Sequence, residues 1–314
     1  MSPALRWLST GLVGCAMALP ACSASDGNAG SGNAGSGNAG SGGGLGSGAS
    51  GGFGGAGAAL GLDSGVGGSQ PEEGQVFGHS PGTLYELEPF SKAVTVVGDF
   101  DCLGSAEMWD IAVNATGAMI GVASTGLGGG LMVNIDPTNA RCTKITSGVF
   151  PNSLTFVPVG ILDPNAEVLV GYDHSTYVRI DPVTGASTNI GSLNPNSTGT
   201  NWQSSGDIVS LEGGGTYLTA RPMLSSSDHP NDSLIEVDPA TGQALRVIGL
   251  TGFPQLWGLG FWAGTAYGFS ATGALVSIDL TTGAGTTIPI PNAPSGLSFW
   301  GAGTTTSAPI EPPH

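Results

Sequence analysis

One short phrase recurs five times in this chain. It is an alternating run that closes on an acidic residue and a turn, at 84–89, 131–137, 177–182, 234–239 and 275–280. The third copy is the clearest. Val178 and Ile180 alternate with Arg179, the two-residue period of a half-buried strand. Asp181 and Pro182 then suit the first positions of a type I turn, and Gly185 can take the left-handed conformation that closes a bulged hairpin. Anchored on Glu88, Asp136, Asp181, Asp238 and Asp279, the copies stand 48, 45, 57 and 41 residues apart. Nine residues after each acid comes an aliphatic side chain (Val97, Ile145, Ile190, Val247 or Ile288), so a second strand follows every turn. Lys92 and Ala140 replace the turn glycine in the first two copies, which predicts a different turn type there.

A second phrase recurs between the hairpins. Trp109-Asp110-Ile111-Ala112-Val113 aligns without gaps with 152–156, 206–210, 257–261 and 295–299, and its third column is always Ile or Leu. Each unit therefore holds four short strands in about 40–50 residues, the signature of a β-propeller blade. A helical solenoid would need a 3.6-residue period, and a sandwich would not repeat five times. The expected fold is all-β: a five-bladed β-propeller of four-stranded antiparallel blades. Four blades fall near 108–148, 151–193, 202–250 and 253–290. The fifth is composite. Residues 75–99 lack a first strand, and 294–300 supply one, so the two ends of the repeat region share a blade and close the ring. The propeller is expected to span 75–300, with 301–314 as a loose Thr- and Pro-rich tail.

The blade text, Leu or Tyr before x-Ile-Asp-Pro-x-Thr-Gly and then Thr-x-Ile-Gly, resembles bacterial extracellular propellers of the YVTN and NHL repeat groups. The resemblance covers 75–300. It implies the propeller fold and says almost nothing of function, because such propellers host binding, scaffolding and several enzyme chemistries.

Outside the repeats the chain changes character. Arg6 precedes an apolar run from Gly11 to Leu19, which reads 1–21 as an export signal too short to span a bilayer. Leu19-Pro20-Ala21-Cys22 resembles the lipobox of bacterial lipoproteins, which makes Cys22 the expected lipidated N-terminus, with Cys15 as the alternative. Residues 22–74 contain three copies of Gly-Asn-Ala-Gly-Ser. They bury too little apolar surface to offset ordering entropy, so a disordered tether is expected, and its low-complexity part, 26–69, would span roughly 35–40 Å. Cys102 and Cys142 remain, a pair suited to a disulfide in an oxidising compartment. With 23 acidic against 7 basic residues, the net charge of -16 repels phosphate backbones and argues against nucleic-acid binding.

Candidate chemistry gathers where the copies disagree. Asp110 and Asp207 share one column of the inner strands, with Glu107 just before. In a hydrolase of glycosides or lactones, such carboxylates would serve as acid and base. In a structural role, the same aspartates would accept from backbone amides of the next blade and pin the two together. His79, His174 and His229 fall between second and third strands and are expected to be exposed loop residues. His174 follows Asp173 and His229 follows Asp228, but their blades differ, so no metal site is expected; Ca²⁺ on acidic loops is the one cofactor left open. Trp109, Trp202, Trp257, Trp262 and Trp300 cluster at inner strands, where blade packing also needs bulk. Trp202 and Trp257 stand at strand beginnings and are the expected platforms. The longest insertion, 222–232, carries Asp228 and His229 and is the first place to look for partner contact.

The leading expectation is a cell-envelope lipoprotein that displays its propeller to bind or scaffold a protein, peptide or glycan. It would touch the membrane through its lipid anchor only, at the outer membrane or cell surface, or else be secreted or periplasmic. The alternative is the hydrolase built on Glu107, Asp110 and Asp207.

Overall fold

The computed structural model describes residues 74–126, 128–195, 199–223 and 231–312. The expected signal segment, Cys15, Cys22, the tether, Asp228 and His229 lie outside them. Every element among the described residues is a strand, and none of their helices, there being none, could cross a membrane.

The first three strands, β1 (Val76–His79), β2 (Thr83–Leu87) and β3 (Val94–Asp99), form a meander. Four strands follow as one sheet: β4 (Glu107–Val113), β5 (Met119–Ser124), β6 (Gly130–Ile135) and β7 (Cys142–Gly148). The next sheet is β8 (Leu154–Val157), β9 (Val168–Asp173), β10 (Thr176–Ile180) and β11 (Ser187–Ser192). Then come β12 (Trp202–Ser210), β13 (Thr216–Pro222), β14 (Ser233–Val237) and β15 (Ala244–Leu250). The last complete sheet is β16 (Leu256–Trp262), β17 (Thr265–Ser270), β18 (Leu275–Ile278) and β19 (Gly285–Ile288). A final strand, β20 (Gly301–Thr304), pairs antiparallel with β1, His79 opposite Gly301 and Val76 opposite Thr304. The chain is a five-bladed β-propeller closed by its own ends, as the repeats predict.

The Asp-Pro phrase builds the turn between third and fourth strands. Asp181 Oδ1 accepts from the amides of Val183 (2.8 Å) and Thr184 (3.0 Å), and Gly185 donates its amide to the Asp181 carbonyl (2.8 Å). These donors hold the exposed Asp181 carboxyl below the usual range. The copies without glycine make the same turn, contrary to the sequence expectation. Lys92 and Ala140 have φ of 62° and 61° and donate to the carbonyls of Glu88 (2.9 Å) and Asp136 (2.8 Å). The two hydrogen bonds made around each acid outweigh the cost of a left-handed side chain, of order 1 kcal/mol.

That turn is also a blade junction. A Cβ on Gly191, near the end of β11, would overlap the carbonyl oxygen of Thr241 in the turn of the next blade. Gly98 and Gly249 stand in the same relation to Asn139 and Thr282. In these three blades the end of the outer strand leans on the following blade's turn. The Cys102–Cys142 disulfide uses this contact, with Cα atoms 5.4 Å apart. It joins the segment after β3 to the start of β7, and the Cys142 amide also donates to Asp101 Oδ1 (2.9 Å). Phe100, Leu103 and Ala106 are buried alongside, so the segment runs along the blade edge as the bond requires.

Two expectations fail at the C-terminal end. The fifth inner strand is Gly301–Thr304, not the segment 295–299 that aligned by its leucine. Trp300-Gly301-Ala302-Gly303-Thr304 therefore takes the place of the fifth inner copy. Pairing with β1 decided this register, and the alignment had no access to it. The residues beyond are not loose either. Thr305 bridges Val113, and its amide donates to the Gln75 carbonyl (3.1 Å). Glu212 donates its amide to the Thr306 carbonyl (2.8 Å), and Ala263 donates to Pro309 (2.6 Å). Thr306 Oγ1 bonds Glu167, and Ala308 is buried. Residues 305–309 thus touch four blades in turn where their inner strands end, and lie across that end of the central channel.

Candidate functional site

The other end of the channel is open. The five residues that precede the acid column of the inner strands are Trp109, Asn152, Gly206, Trp257 and Trp300, and all five line one cavity of about 440 Å³. In β4 and β16 the ladder skips this position: Trp109 stands unpaired between Met108 and Asp110, and Trp257 between Leu256 and Gly258, so each is the extra residue of a bulge beside the mouth. Trp257 and Trp300 meet edge to face with centroids 5.6 Å apart. Gln203, Ser204 and Ser205 from β12, Gln255 before β16, and Arg221 near the end of β13 complete the wall. His174 stands on the rim in a left-handed conformation (φ 56°), its Nδ1 2.7 Å from Asp173 Oδ1. Arg221 is exposed and forms no ion pair with any described residue. Its charge nevertheless reaches buried Asp232, whose carboxyl is raised by burial and partly held down by Ser205, the Leu256 amide and Arg221.

Beneath this floor lie Asp110 and Asp207, both fully buried. Asp110 Oδ2 accepts from the Leu154 amide (2.6 Å), and Asp207 Oδ2 accepts from Leu259 (2.9 Å), in each case the next blade. Asp207 Oδ1 also accepts from Ile208 (2.6 Å). Burial raises the Asp110 carboxyl well above its ordinary range, and the nearby Asp207 charge raises it further. Asp207 is raised by burial too, against the amides that bond it. Burial and the mutual repulsion of the two charges thus both favour the protonated form of Asp110.

His79 completes the layer and corrects an expectation: it is fully buried, not an exposed loop residue. It is the last residue of β1, and the late register of β20 closes over it. Its Nδ1 lies 3.0 Å from the Ser80 carbonyl, which fixes the proton on Nδ1. Nε2 faces Asp110 Oδ1 at 4.0 Å, and neither atom has a hydrogen-bond partner. Although that distance is within ion-pair range, burial lowers the imidazole pKa to about 4, so the ring is neutral at physiological pH.

The sequence candidates therefore separate. Trp257 and His174 reach the mouth. Glu107 is exposed at the start of β4, opposite Ser124, and does not line the cavity. Trp202 is half-buried in the core between the second and third complete blades, and its backbone bonds the Asn194 side chain on the propeller's flank. Trp109 and Trp300 belong to the same tryptophan cluster and line the cavity with Trp257, although Trp202 and Trp257 were the expected platforms. Arg221 and the glutamines carried no repeat signal at all. Among the described residues no group of three or more His, Cys, Asp or Glu is placed to hold a metal ion.

No protein-family model matches the chain, and no curated protein matches it in sequence. Solved bacterial structures are similar to it. TolB from Acinetobacter baumannii is 16% identical over 71% of this chain and 51% of that one, with a TM-score of 0.41. A protein of unknown function from Bacteroides caccae is 10% identical over 74% of this chain and 99% of that one (TM-score 0.40). BamB from Moraxella catarrhalis is 13% identical over 67% and 68%, at 0.29. The chain spans about half the length of the TolB structure. The propeller assignment rests on the strand pairing of this chain itself.

Proposed function

We propose that this protein is a binding module whose ligand seats in the tryptophan-lined mouth, and that Cys22 anchors it by lipid to the cell envelope. The observation that carries the binding reading is the asymmetry of the channel. One end holds a cavity of about 440 Å³ rimmed by Trp109, Trp257 and Trp300, and residues 305–309 lie across the other. That volume is near the lower end of ligand pockets, about 300–1,000 Å³. Its wall pairs apolar ring faces with a few amides, hydroxyls and one cation, the composition of a recognition site.

The hydrolase reading has less support. Asp110 and Asp207 have no solvent exposure, and one oxygen of each is engaged by a backbone amide of the adjoining blade. Glu107 stands apart from them on the surface. A general acid or base must come within hydrogen-bond reach of substrate.

Tryptophan fluorescence tests the binding reading. Trp257→Ala is expected to abolish the ligand-induced change, whereas Trp202→Ala leaves it in place; the reverse pattern would remove the mouth as the site. Labelling cells with radioactive palmitate tests the anchor. Incorporation lost in Cys22→Ala and kept in Cys15→Ala is expected, and incorporation indifferent to Cys22 would refute it.

A further inference from the structure

The mouth also specifies what it holds. We propose that its ligand is a saccharide unit bearing a single carboxylate, such as a terminal hexuronate or another acidic sugar. The inference rests on reading the mouth as a binding site and goes further by naming the ligand class.

Three features of the wall lead there together. Trp109, Trp257 and Trp300 present indole surface from three inner strands, and Trp257 and Trp300 are set nearly perpendicular, at 78°. Such a corner accepts the apolar C–H face of a pyranose ring on one plane and its edge on the other. Gln203, Gln255 and Asn152 line the same cavity. A carboxamide offers a donor and an acceptor side by side, which matches neighbouring hydroxyls that both donate and accept. A flat aromatic ligand would leave these amides without partners as water is displaced, at a cost for each.

The third feature is Arg221. It lines the cavity, is exposed, and has no described carboxylate within ion-pair distance. Among the described residues, the carboxylate that feels its charge is Asp232, and the one nearest the rim histidine is Asp173. Asp232 is buried and bonded to the Leu256 amide (2.8 Å), and Asp173 is paired with His174. Its guanidinium lines the cavity with no described carboxylate against it, and its fork fits a carboxylate through two parallel hydrogen bonds. The net charge of -16 limits that carboxylate to few. A polyanion would meet the repulsion of the whole surface for the sake of one arginine, whereas a single acidic unit on a neutral chain gains the local pair with little of that repulsion.

The test uses the full-length exported protein and follows its tryptophan fluorescence. The probes are the methyl glycosides of glucuronate, galacturonate and N-acetylneuraminate. Methyl glucoside and methyl galactoside serve as neutral counterparts. Acetyl-trialanine with a free C-terminus offers the same carboxylate on a peptide. At least one acidic glycoside is expected to saturate the signal, and its neutral counterpart to bind at least about 10-fold more weakly. Arg221→Gln should remove that preference by weakening acidic binding at least about 10-fold, whereas Trp257→Ala weakens acidic and neutral binding alike. Circular dichroism confirms that each variant is folded. Equal binding of acidic and neutral sugars, indifferent to Arg221→Gln, overturns the carboxylate and leaves the mouth as a sugar site. A response to acetyl-trialanine alone, lost in Trp257→Ala, overturns the sugar and leaves the mouth as a peptide site. A panel that gives no response sensitive to Trp257→Ala overturns both readings.

Discussion

Replacing the buried carboxyl pair separates a structural role from a catalytic one. Asp110→Ala removes the acceptor of one buried amide, that of Leu154. Asp207→Ala removes the acceptor of two, Ile208 and Leu259. A buried donor left without a partner costs about 1–3 kcal/mol. The expected losses are therefore about 1–3 kcal/mol for Asp110→Ala and about 2–6 kcal/mol for Asp207→Ala. Asp110→Asn behaves differently. Its carbonyl can keep the Leu154 bond without a charge to bury, so a change within about 1 kcal/mol is expected.

The pH dependence gives a second readout. The folded carboxyls have raised pKa values, so the folded state holds its proton more tightly than the unfolded chain does. Their contribution to stability is fully present below the unfolded value, about 3.9, and is lost as pH rises through the raised folded values. Asp110→Asn should flatten that decline. Urea unfolding followed by circular dichroism at several pH values measures both effects. With a slope of about 3 kcal/mol per molar, a 3 kcal/mol loss moves the midpoint by about 1 M. Midpoints of both alanine variants within about 0.2 M of the parent would refute the pinning role, as would an asparagine variant as damaged as the alanine.

His79 sets an opposite limb. Its pKa is lowered by burial from 6.5 to about 4, so the stability it confers is present above 6.5 and lost as pH falls through that window, about 3 kcal/mol in all. His79→Gln should weaken this acid-side decline in the same urea series; an unchanged slope would contradict it. The Cys102–Cys142 bond closes a separation of 40 residues, for which chain entropy gives about 4 kcal/mol. The double alanine variant should unfold at correspondingly lower urea, and a loss below about 1 kcal/mol would count against that account. Truncation after Thr304 removes the amide acceptors of Glu212 and Ala263 and the buried Ala308. Limited proteolysis should cut the truncated protein faster, with a fall in stability of about 2–4 kcal/mol at roughly 1 kcal/mol per lost hydrogen bond. Equal resistance would mean that the C-terminal segment does not hold the blades.

Much of the blade was legible because its causes are local. A two-residue period, an acid that accepts two amides, and an aliphatic nine residues on all lie within one hairpin. The acid column was legible too, since Asp110 and Asp207 occupy matching places in their repeats. Their closeness was not, because it depends on the ring closing and bringing two inner strands together. Lys92 and Ala140 show a converse limit: composition alone argued against the left-handed turn, and hydrogen bonds around the preceding acid imposed it.

The chain by itself determined the repeat, the number of blades, the closure by shared ends and the cysteine pair, all carried by periodicity and spacing. Only the tertiary structure decided which end of the channel is open. It set the last inner strand five residues later than the repeat implied, because β1 offered its edge to Gly301–Thr304. That register moved Trp300 from the end of a strand to the mouth, buried His79, and laid residues 305–309 across the far end. Side-chain period fixes which face of a strand is buried, but strand register is fixed by the partner, and here the partner lies more than 220 residues away in sequence.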